Sequence, residues 1–249
     1  MEKTDWKENR YGLIGKNIAY SFSRGYFSEK FEALGLDNCS YENFDLANSS
    51  DFPKLLATAN IKGLNVTIPY KQEIIPFLDD LDPVAKAIGA VNTIKFTKKG
   101  LIGYNTDAYG FKHSLQPLLG ELPKNALILG TGGASKAVLH VLNEMGVHAS
   151  YVSRRKIEKG FQYAELSAET LANHQLIVNC TPLGTHPNIC AKPDLPYAYL
   201  GSQHLLYDLI YNPKKSAFLL EGENRGCTIK NGLEMLELQA EKSWEIWNT

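Results

Sequence analysis

The sequence has no excess of charge of either sign and no long apolar run. Its 26 basic and 27 acidic residues give a formal net charge of -1, and no five like charges are consecutive. A nucleic-acid surface or a membrane-attracting patch is therefore not indicated. The amino terminus, MEKTDWKENR, lacks the apolar stretch of a signal peptide, and no apolar run approaches membrane-spanning length. We expect a cytoplasmic protein that binds neither nucleic acid nor membranes.

Cysteine is scarce and unpaired in this sequence. The four residues Cys39, Cys180, Cys190 and Cys227 form no C-x-x-C pair, and the six histidines show no metal-ligand spacing with them. Reduced thiols in a cytosolic protein are the simplest interpretation, and we predict no metal site. With 249 residues, 44% of them hydrophobic, the chain can form one large domain or two compact ones.

Short β-rich runs alternate with helical patterns in both halves of the chain. Up to about residue 110, the strand-like runs are YGLIG, CSYENFDL and LNVTIP, and the helical ones are RGYFSEKFEALG and FPKLLATANIKG. This alternation predicts a mostly parallel α/β sheet, and VNTIKFTKKGLIGYNT predicts an antiparallel hairpin at its edge. From about residue 123 the alternation restarts with strands such as QLIVNCTP, which lack period two, as expected when helices cover both faces. This pattern predicts a second α/β unit, and GLEMLELQAEKSW predicts a final amphipathic helix.

A glycine-rich turn, LILGTGGASKA, joins a strand to a helix in the second half. Gly130 permits a tight turn, and Gly132 and Gly133 let the backbone approach a pyrophosphate at the helix amino terminus. Ala134 and Ser135 replace the third glycine of the dinucleotide fingerprint and are small enough for close helix packing. A turn without a ligand is the alternative, but the strand and helix context favours a dinucleotide site.

The residues after the next strand bear on the choice of cofactor. An NAD site presents Asp or Glu to the ribose about 20 residues after the turn, whereas this sequence has Ser153, Arg154, Arg155 and Lys156. A guanidinium binds a 2′-phosphate by two hydrogen bonds, and an acid would repel it. The sequence therefore favours NADP, with a solvated basic turn as the alternative.

Polar side chains recur at the ends of the apolar runs in the first half. They are Ser21, Ser23, Thr67, Lys71, Asn92, Asn105, Thr106 and Asp107. Because ligands bind outside the carboxyl ends of strands in open α/β sheets, these groups would suit a small polyhydroxylated acid. Each also has a simpler explanation, since Ser21 and Asp107 can cap helices and Asn92 can be a turn residue.

Eight motifs together resemble the shikimate dehydrogenase family. In chain order they are YSFS, NVTIPYK, AVNTI, GYNTD, LGTGGASKA, NCTPLG, YDLIYNP and NGLEMLELQA, from about residue 11 to 247. The resemblance implies NADP-dependent, reversible reduction of 3-dehydroshikimate to shikimate, in the route to chorismate and aromatic amino acids. It also implies an α/β fold in which a substrate domain, 1–110 plus 233–249, faces a Rossmann-type NADP-binding domain, 111–232, across a cleft. The last helix would return to the substrate domain.

The resemblance also assigns roles by position. For the substrate, Ser21 and Ser23 would bind the carboxylate, and Thr67, Asn92 and Asp107 the ring hydroxyls. Lys71 would lie at the reacting centre beside Asp107. Gln239 in the last helix and Tyr211 after DLI would complete the pocket. In the nucleotide domain, the diphosphate would be bound by Gly130, Gly132, Gly133 and Ala134. The ribose phosphate would be bound by Ser153 and Arg154, with Arg155 in the same basic turn. Thr181 would lie near the dinucleotide, and Leu209 and Gly232 would lie at its nicotinamide end.

The chain departs from the family pattern at four places. Tyr20 and Arg24 stand where the family usually has His and Pro, Ser153 replaces a usual Asn, and Thr185 follows TPLG where Met is common. Between SRRK and QLIVNC so few residues remain that the helix and strand normally found there must be truncated. These departures affect the adenosine contacts more than the chemistry.

The chemistry of ketone reduction explains a lysine at a strand end. Hydride transfer leaves an alkoxide, which an ammonium group can stabilise and protonate. We therefore hypothesise that Lys71 is the acid and base, the alternative being an exposed lysine in the first turn of a helix. A quinate/shikimate dehydrogenase with dual substrate use and a non-catalytic NADP-binding regulator remain open as functions. Monomer and homodimer also remain open.

Overall fold

The computed structural model describes residues 8–19, 21–58 and 60–249, so Tyr20 lies outside the described residues. The chain divides into two compact units, Met1–Thr106 with Ala240–Thr249, and Asp107–Gln239. The predicted boundaries, after residues 110 and 232, lie within a few residues of the observed ones, and each observed boundary falls inside a helix. At Gly110, an added Cβ would lie 2.4 Å from the Met235 carbonyl oxygen, and both of these residues belong to the second unit.

The first unit contains a six-stranded sheet. Its elements are β1 (Asn9–Gly15), α1 (Phe22–Ala33), β2 (Cys39–Asp45), α2 (Phe52–Thr58), β3 (Ile61–Val66), β4 (Asp80–Leu81), α3 (Pro83–Ile88), β5 (Thr93–Thr97) and β6 (Gly100–Tyr104), with α4 (Thr106–Leu115) beginning at its end. The strand order is β2-β1-β3-β5-β6-β4. β1 pairs in parallel with β2 and β3, and β5 and β6 form the predicted antiparallel hairpin.

Two details of this sheet differ from the sequence prediction. The hairpin does not form the edge, because β4 pairs with β6 through Asp80 and Leu81. The helix predicted over FPKLLATANIKG ends at Thr58, since β3 begins at Ile61 and Gly63 pairs with Tyr11 of β1. A period count could not separate these segments, because their apolar residues suit either element.

One core cluster of the first unit is aromatic and includes the end of the chain. Phe27 of α1 stacks on Tyr41 with ring centroids 4.6 Å apart, and Tyr11 lies 5.0 Å from Trp247. The Trp247 indole N–H donates to the Ile94 carbonyl oxygen at 3.0 Å. The predicted return of the last helix to the first unit is therefore confirmed for residues 240–249.

The second unit contains a parallel sheet. Its elements are β7 (Asn125–Leu129), α5 (Gly133–Glu144), β8 (His148–Ser153), β9 (Gly160–Gln162), α6 (Ala168–Ala172), β10 (Leu176–Asn179), β11 (Leu205–Asp208), α7 (Ala217–Glu223) and β12 (Thr228–Lys230), followed by α8 (Leu233–Asn248). All pairs are parallel, in the order β12-β11-β10-β7-β8-β9, which confirms the predicted second α/β unit. The short segment after Lys156 contains the three-residue β9, a three-residue 3-10 helix and the five-residue α6.

The order of the second sheet places a ligand site at its middle. The chain leaves β7 toward β8 on one side and later returns to β10 on the other, which is the topological switch point where open α/β sheets bind ligands. Among the described residues, no helix combines the length and apolar character required to cross a bilayer.

Candidate active site

The serines at the start of α1 have a local role. Ser21 is the N-cap residue, and its Oγ accepts a hydrogen bond from the Ser23 backbone N–H at 3.2 Å. The capping function anticipated for the YSFS segment is therefore confirmed. This bond uses the Ser21 oxygen as an acceptor, so its O–H remains chemically suited to donate to an anion. Ser23 is buried.

Thr67 and Lys71 lie just beyond the carboxyl end of β3. The Thr67 N–H donates to the Ile14 carbonyl oxygen at 2.8 Å, which holds this exit beside β1. Four residues later, the Lys71 carbonyl oxygen accepts from the Val91 N–H at 2.7 Å. Lys71 is half-buried and lies in a turn, so the alternative of an exposed helical lysine is wrong.

Asn92 is 2% exposed and its side chain is held in one orientation. The Thr106 backbone N–H donates to its Oδ1 at 2.7 Å, and its Nδ2 donates to Thr106 Oγ1 at 2.9 Å. A backbone N–H can only donate, so the oxygen of the amide must face it. Asn105 is buried beside this pair and donates from Nδ2 to the Ala90 carbonyl oxygen at 2.9 Å.

Sequence reasoning missed the residue that extends this network into the core. Asn65 of β3 is 5% exposed, and its Nδ2 lies 3.0 Å from Ser243 Oγ and 3.1 Å from Thr93 Oγ1. Tyr41 donates from its hydroxyl to Asn65 Oδ1 at 2.7 Å. Burial raises the pKa of Tyr41, so it stays a neutral donor. The detectable signal was an amide inside the apolar run LNV.

This buried network reaches one of the predicted substrate residues. It runs from Tyr41 through Asn65 to the hydroxyls of Thr93, Thr106 and Ser243, and then to Asn92. Fully hydrogen-bonded buried networks rigidify the side chains that they contain. The strand ends of the first unit therefore carry polar groups in fixed positions.

The remaining predicted substrate residues belong to the second unit. Asp107 is 6% exposed and lies in the first turn of α4, where the helix dipole favours a carboxylate. Gln239 of α8 is 8% exposed and donates from Nε2 to the Leu236 carbonyl oxygen at 2.9 Å. Tyr211 is half-buried and follows β11. That Lys71 and Asp107 share one pocket stays a prediction.

The glycine-rich turn has the local geometry that a diphosphate requires. Gly130 has φ +97°, which favours glycine, and an added Cβ would lie 3.1 Å from Thr181 Cγ2. Gly132 is the N-cap of α5 and supplies no side-chain cap, and no atom lies within 4 Å of a Cβ placed there. Gly133 and Ala134 follow in the first turn. The backbone of the turn is therefore open to close approach at Gly132, at a helix amino terminus whose dipole favours an anion.

The basic turn follows β8 as predicted. Ser153 ends this strand and its Oγ accepts from the Arg155 N–H at 3.2 Å. The Arg154 carbonyl oxygen accepts from Gln162 Nε2 at 3.4 Å, which ties the turn to β9. The side chains of Arg154 and Arg155 are exposed, and within the described ranges no carboxylate forms an ion pair with either. Both guanidiniums can therefore bind a phosphate.

Three further strand ends are followed by the residues predicted for the dinucleotide and its nicotinamide end. Thr181 donates from its N–H and Oγ1 to Asn179 Oδ1, at 3.0 and 2.7 Å. The Leu209 N–H donates to the Asn179 carbonyl oxygen at 3.0 Å. A Cβ at Gly232 would lie 2.1 Å from the Leu209 carbonyl oxygen, so only glycine permits this approach.

No group of three or more His, Cys, Asp or Glu side chains within residues 8–19, 21–58 and 60–249 is arranged to hold a metal ion. The polar groups found here are hydroxyls, amides, a lysine and exposed guanidiniums. Such groups bind hydroxylated and phosphorylated ligands by hydrogen bonds and charge.

Comparisons with known proteins agree with this chemistry. Residues 13–94 match the model of the shikimate dehydrogenase substrate binding domain. The shikimate dehydrogenase (NADP(+)) of Desulforamulus reducens is 36% identical, over 95% of this chain and 88% of its own length. That of Methanococcus maripaludis is 38% identical, over 98% and 92%. The structure of Thermus thermophilus shikimate 5-dehydrogenase in complex with NADP(H) and shikimate has a TM-score of 0.83 and 30% identity, over 96% and 92%. This chain belongs to the family of NADP-dependent shikimate dehydrogenases.

Proposed function

We propose that this protein catalyses the reversible, NADPH-dependent reduction of 3-dehydroshikimate to shikimate, with Lys71 as the acid and base. The names of relatives that match nearly its whole length support the reaction, as does the Thermus thermophilus relative in complex with NADP(H) and shikimate. The observation that carries the proposal is a half-buried lysine in the turn that follows β3, in a unit whose other strand ends hold fixed hydroxyls and amides.

The substrate would bind in the domain formed by 1–110 and 233–249. Ser21 and Ser23 would bind the carboxylate, Thr67, Asn92 and Asp107 the ring hydroxyls, and Tyr211 and Gln239 would complete the pocket. The Ser21 oxygen accepts the Ser23 N–H, so its proton can be donated to a carboxylate. The network that orients Asn92 would hold its amide in a fixed position toward the ring hydroxyls.

Lys71 and Asp107 would carry the proton chemistry. Bound NADPH supplies the hydride for the carbonyl carbon, and NADP accepts it in the reverse direction. In reduction, the Lys71 ammonium donates a proton to the carbonyl oxygen as negative charge develops there. In oxidation, the neutral amine accepts the hydroxyl proton. A carboxylate at Asp107 would accept a hydrogen bond from that hydroxyl and so orient it.

The cofactor would bind in the domain 111–232. Gly130, Gly132, Gly133 and Ala134 would bind the diphosphate, and Ser153, Arg154 and Arg155 the 2′-phosphate. Thr181 would lie in the loop near the dinucleotide, and Leu209 and Gly232 would lie at its nicotinamide end. The open amino terminus of α5 and the unpaired guanidiniums support this assignment. Because no acid stands in the basic turn, NADP is favoured over NAD.

Absorbance at the reduced-nicotinamide band tests the proposed reaction directly. Purified protein should reduce NADP with shikimate, much more slowly with quinate, and more slowly with NAD in place of NADP. Equal rates with quinate would indicate a dual-substrate enzyme. Saturable NADP binding without turnover of either substrate would indicate a regulator and contradict the proposed reaction.

A further inference from the structure

A buried carboxylate without a cationic partner lies at the end of β11. Asp208 is 0% exposed, and in the part of the chain that the structure describes no Lys or Arg forms an ion pair with it. Its oxygens instead accept from Asn179 Nδ2 at 3.0 Å, from the Ile210 N–H at 3.0 Å and from the Ser216 hydroxyl. All three partners can act as donors, which suits an ionised carboxylate.

This carboxylate orients the amide opposite it. Asn179 is also 0% exposed and pairs with Asp208 in the register of β10 and β11. An ionised carboxylate can only accept, so Asn179 must present its NH₂ group to Asp208. Its oxygen then faces the other way and accepts from the N–H and the Oγ1 of Thr181.

The amide in turn fixes the polarity of the Thr181 hydroxyl. Its proton is donated to Asn179, and one lone pair accepts from the Leu183 N–H at 3.3 Å. Thr181 is half-buried, and its hydroxyl keeps a second lone pair with which it can accept one more hydrogen bond. In this state the hydroxyl offers a ligand an acceptor. It cannot bind a phosphate oxygen, which is itself an acceptor.

We propose that Asp208 and Asn179 are positioning residues for the dinucleotide. The carboxylate orients the Asn179 amide, the amide orients the Thr181 hydroxyl, and this hydroxyl accepts a hydrogen bond from a hydroxyl or amide donor of the cofactor. Ribose hydroxyls and the nicotinamide carboxamide are such donors. The inference rests on the proposed function and specifies how Thr181 contacts the nucleotide.

Four variants test the proposal by calorimetric titration with NADP and by steady-state kinetics. Asp208→Asn keeps an acceptor oxygen toward Asn179 and should bind NADP within about twofold of the wild type. Asp208→Leu and Thr181→Val each remove one step and should weaken NADP binding by about tenfold, with KM for shikimate nearly unchanged. The double variant Asp208→Leu with Thr181→Val should be no weaker than the weaker single variant, because both act through one hydroxyl.

Tyr207→Phe is the matched control for loss of a buried hydrogen bond on the same strand. It removes the bond between Ser114 Oγ and the Tyr207 hydroxyl, at 2.6 Å, and should leave NADP binding unchanged. Wild-type NADP affinity in Asp208→Leu would overturn the proposal. So would multiplied losses in the double variant, or a loss in Asp208→Asn as large as in Asp208→Leu.

Asn179→Asp decides the question if Asp208→Leu does not fold. Two carboxyl groups would then face each other, and they can share one proton at low pH but repel when both ionise. Relative to the wild type, NADP binding should weaken from pH 6 to pH 8, and an unchanged ratio would overturn the proposal. The ionisable groups that interact with Asp208 are Cys180 and Tyr197, and burial raises the pKa of both, so neither ionises in this range.

The same measurements separate this proposal from the proposed reaction. A wild-type protein that binds NADP but does not oxidise shikimate would contradict only the reaction, and the variants could still be compared by NADP affinity. A wild-type protein that binds no NADP would overturn both.

Discussion

Replacing Asp208 with Asn should change how the stability of this protein depends on pH. Burial raises the pKa of Asp208 from 3.8 to about 6, in spite of opposing hydrogen bonds from Ser216, Ile210 and Asn179. The native state therefore binds this proton more tightly than the unfolded chain does. The resulting stabilisation is complete below about pH 3.8 and is lost as the pH rises through 6.

The size of this effect follows from the two pKa values. A difference of about 2 units corresponds to about 3 kcal/mol, of which about 1.4 kcal/mol is lost between pH 5 and pH 8. Asn cannot ionise, so Asp208→Asn should gain about 1.4 kcal/mol relative to the wild type over that interval. Its amide oxygen can still accept from Asn179 and Ile210, and its NH₂ group can donate to Ser216.

Urea unfolding at several pH values from 5 to 8 measures this gain as a change in midpoint at constant m-value. Asp194→Asn is the matched control, because it neutralises an exposed carboxylate of the same unit. Its free energy of unfolding should follow that of the wild type at every pH. If the difference between Asp208→Asn and the wild type stayed constant from pH 5 to pH 8, the carboxylate would not be held at a raised pKa and the reasoning would be wrong.

Three further predictions test the catalytic group, the cofactor site and the packing of the first unit. Lys71→Ala should lower kcat by about 10²–10⁴-fold with a modest change in shikimate KM. The control Lys86→Ala, which removes an exposed lysine, should leave kcat unchanged. Near-normal turnover in Lys71→Ala would show that Lys71 is not the acid and base. Arg154→Ala should raise KM for NADPH far more than KM for the substrate, and unchanged NADPH kinetics would exclude Arg154 from the phosphate site. Gly63→Ala should destabilise the protein by about 1–3 kcal/mol in thermal unfolding, because its Cβ would lie 2.4 Å from the indole of Trp247. The control Gly25→Ala, with open space around its Cβ, should be neutral or stabilising, and equal effects at both sites would contradict the packing argument.

Much of the fold was predictable because its signals are local. The alternation of apolar runs and helical patterns predicted both α/β units, and the hairpin was predicted from its Lys-Lys-Gly turn. The errors lie where pairing decides the element: β4 has only two residues, and FPKLLATANIKG contains the end of α2 and the start of β3. Strands this short acquire their identity from a neighbouring strand, which a local pattern does not contain.

The site divides in the same way. Gly130 and the basic turn at Arg154 were identifiable from sequence, because a tight turn needs a positive φ and a 2′-phosphate needs a guanidinium. The two buried amides were not. Asn65 and Asn179 stand inside apolar runs, and their partners Ser243 and Asp208 lie 178 and 29 residues further along the chain.

The sequence by itself determined the class of fold, the position of the glycine turn and the preference for a phosphorylated nucleotide, since each depends on neighbouring residues. Only the tertiary structure decided which donors face which acceptors. Strand register set Asn179 opposite Asp208, and the return of α8 brought Ser243 to Asn65. The physical reason is that a buried polar group must find a partner in space, and the packing of distant segments determines which partner is within reach.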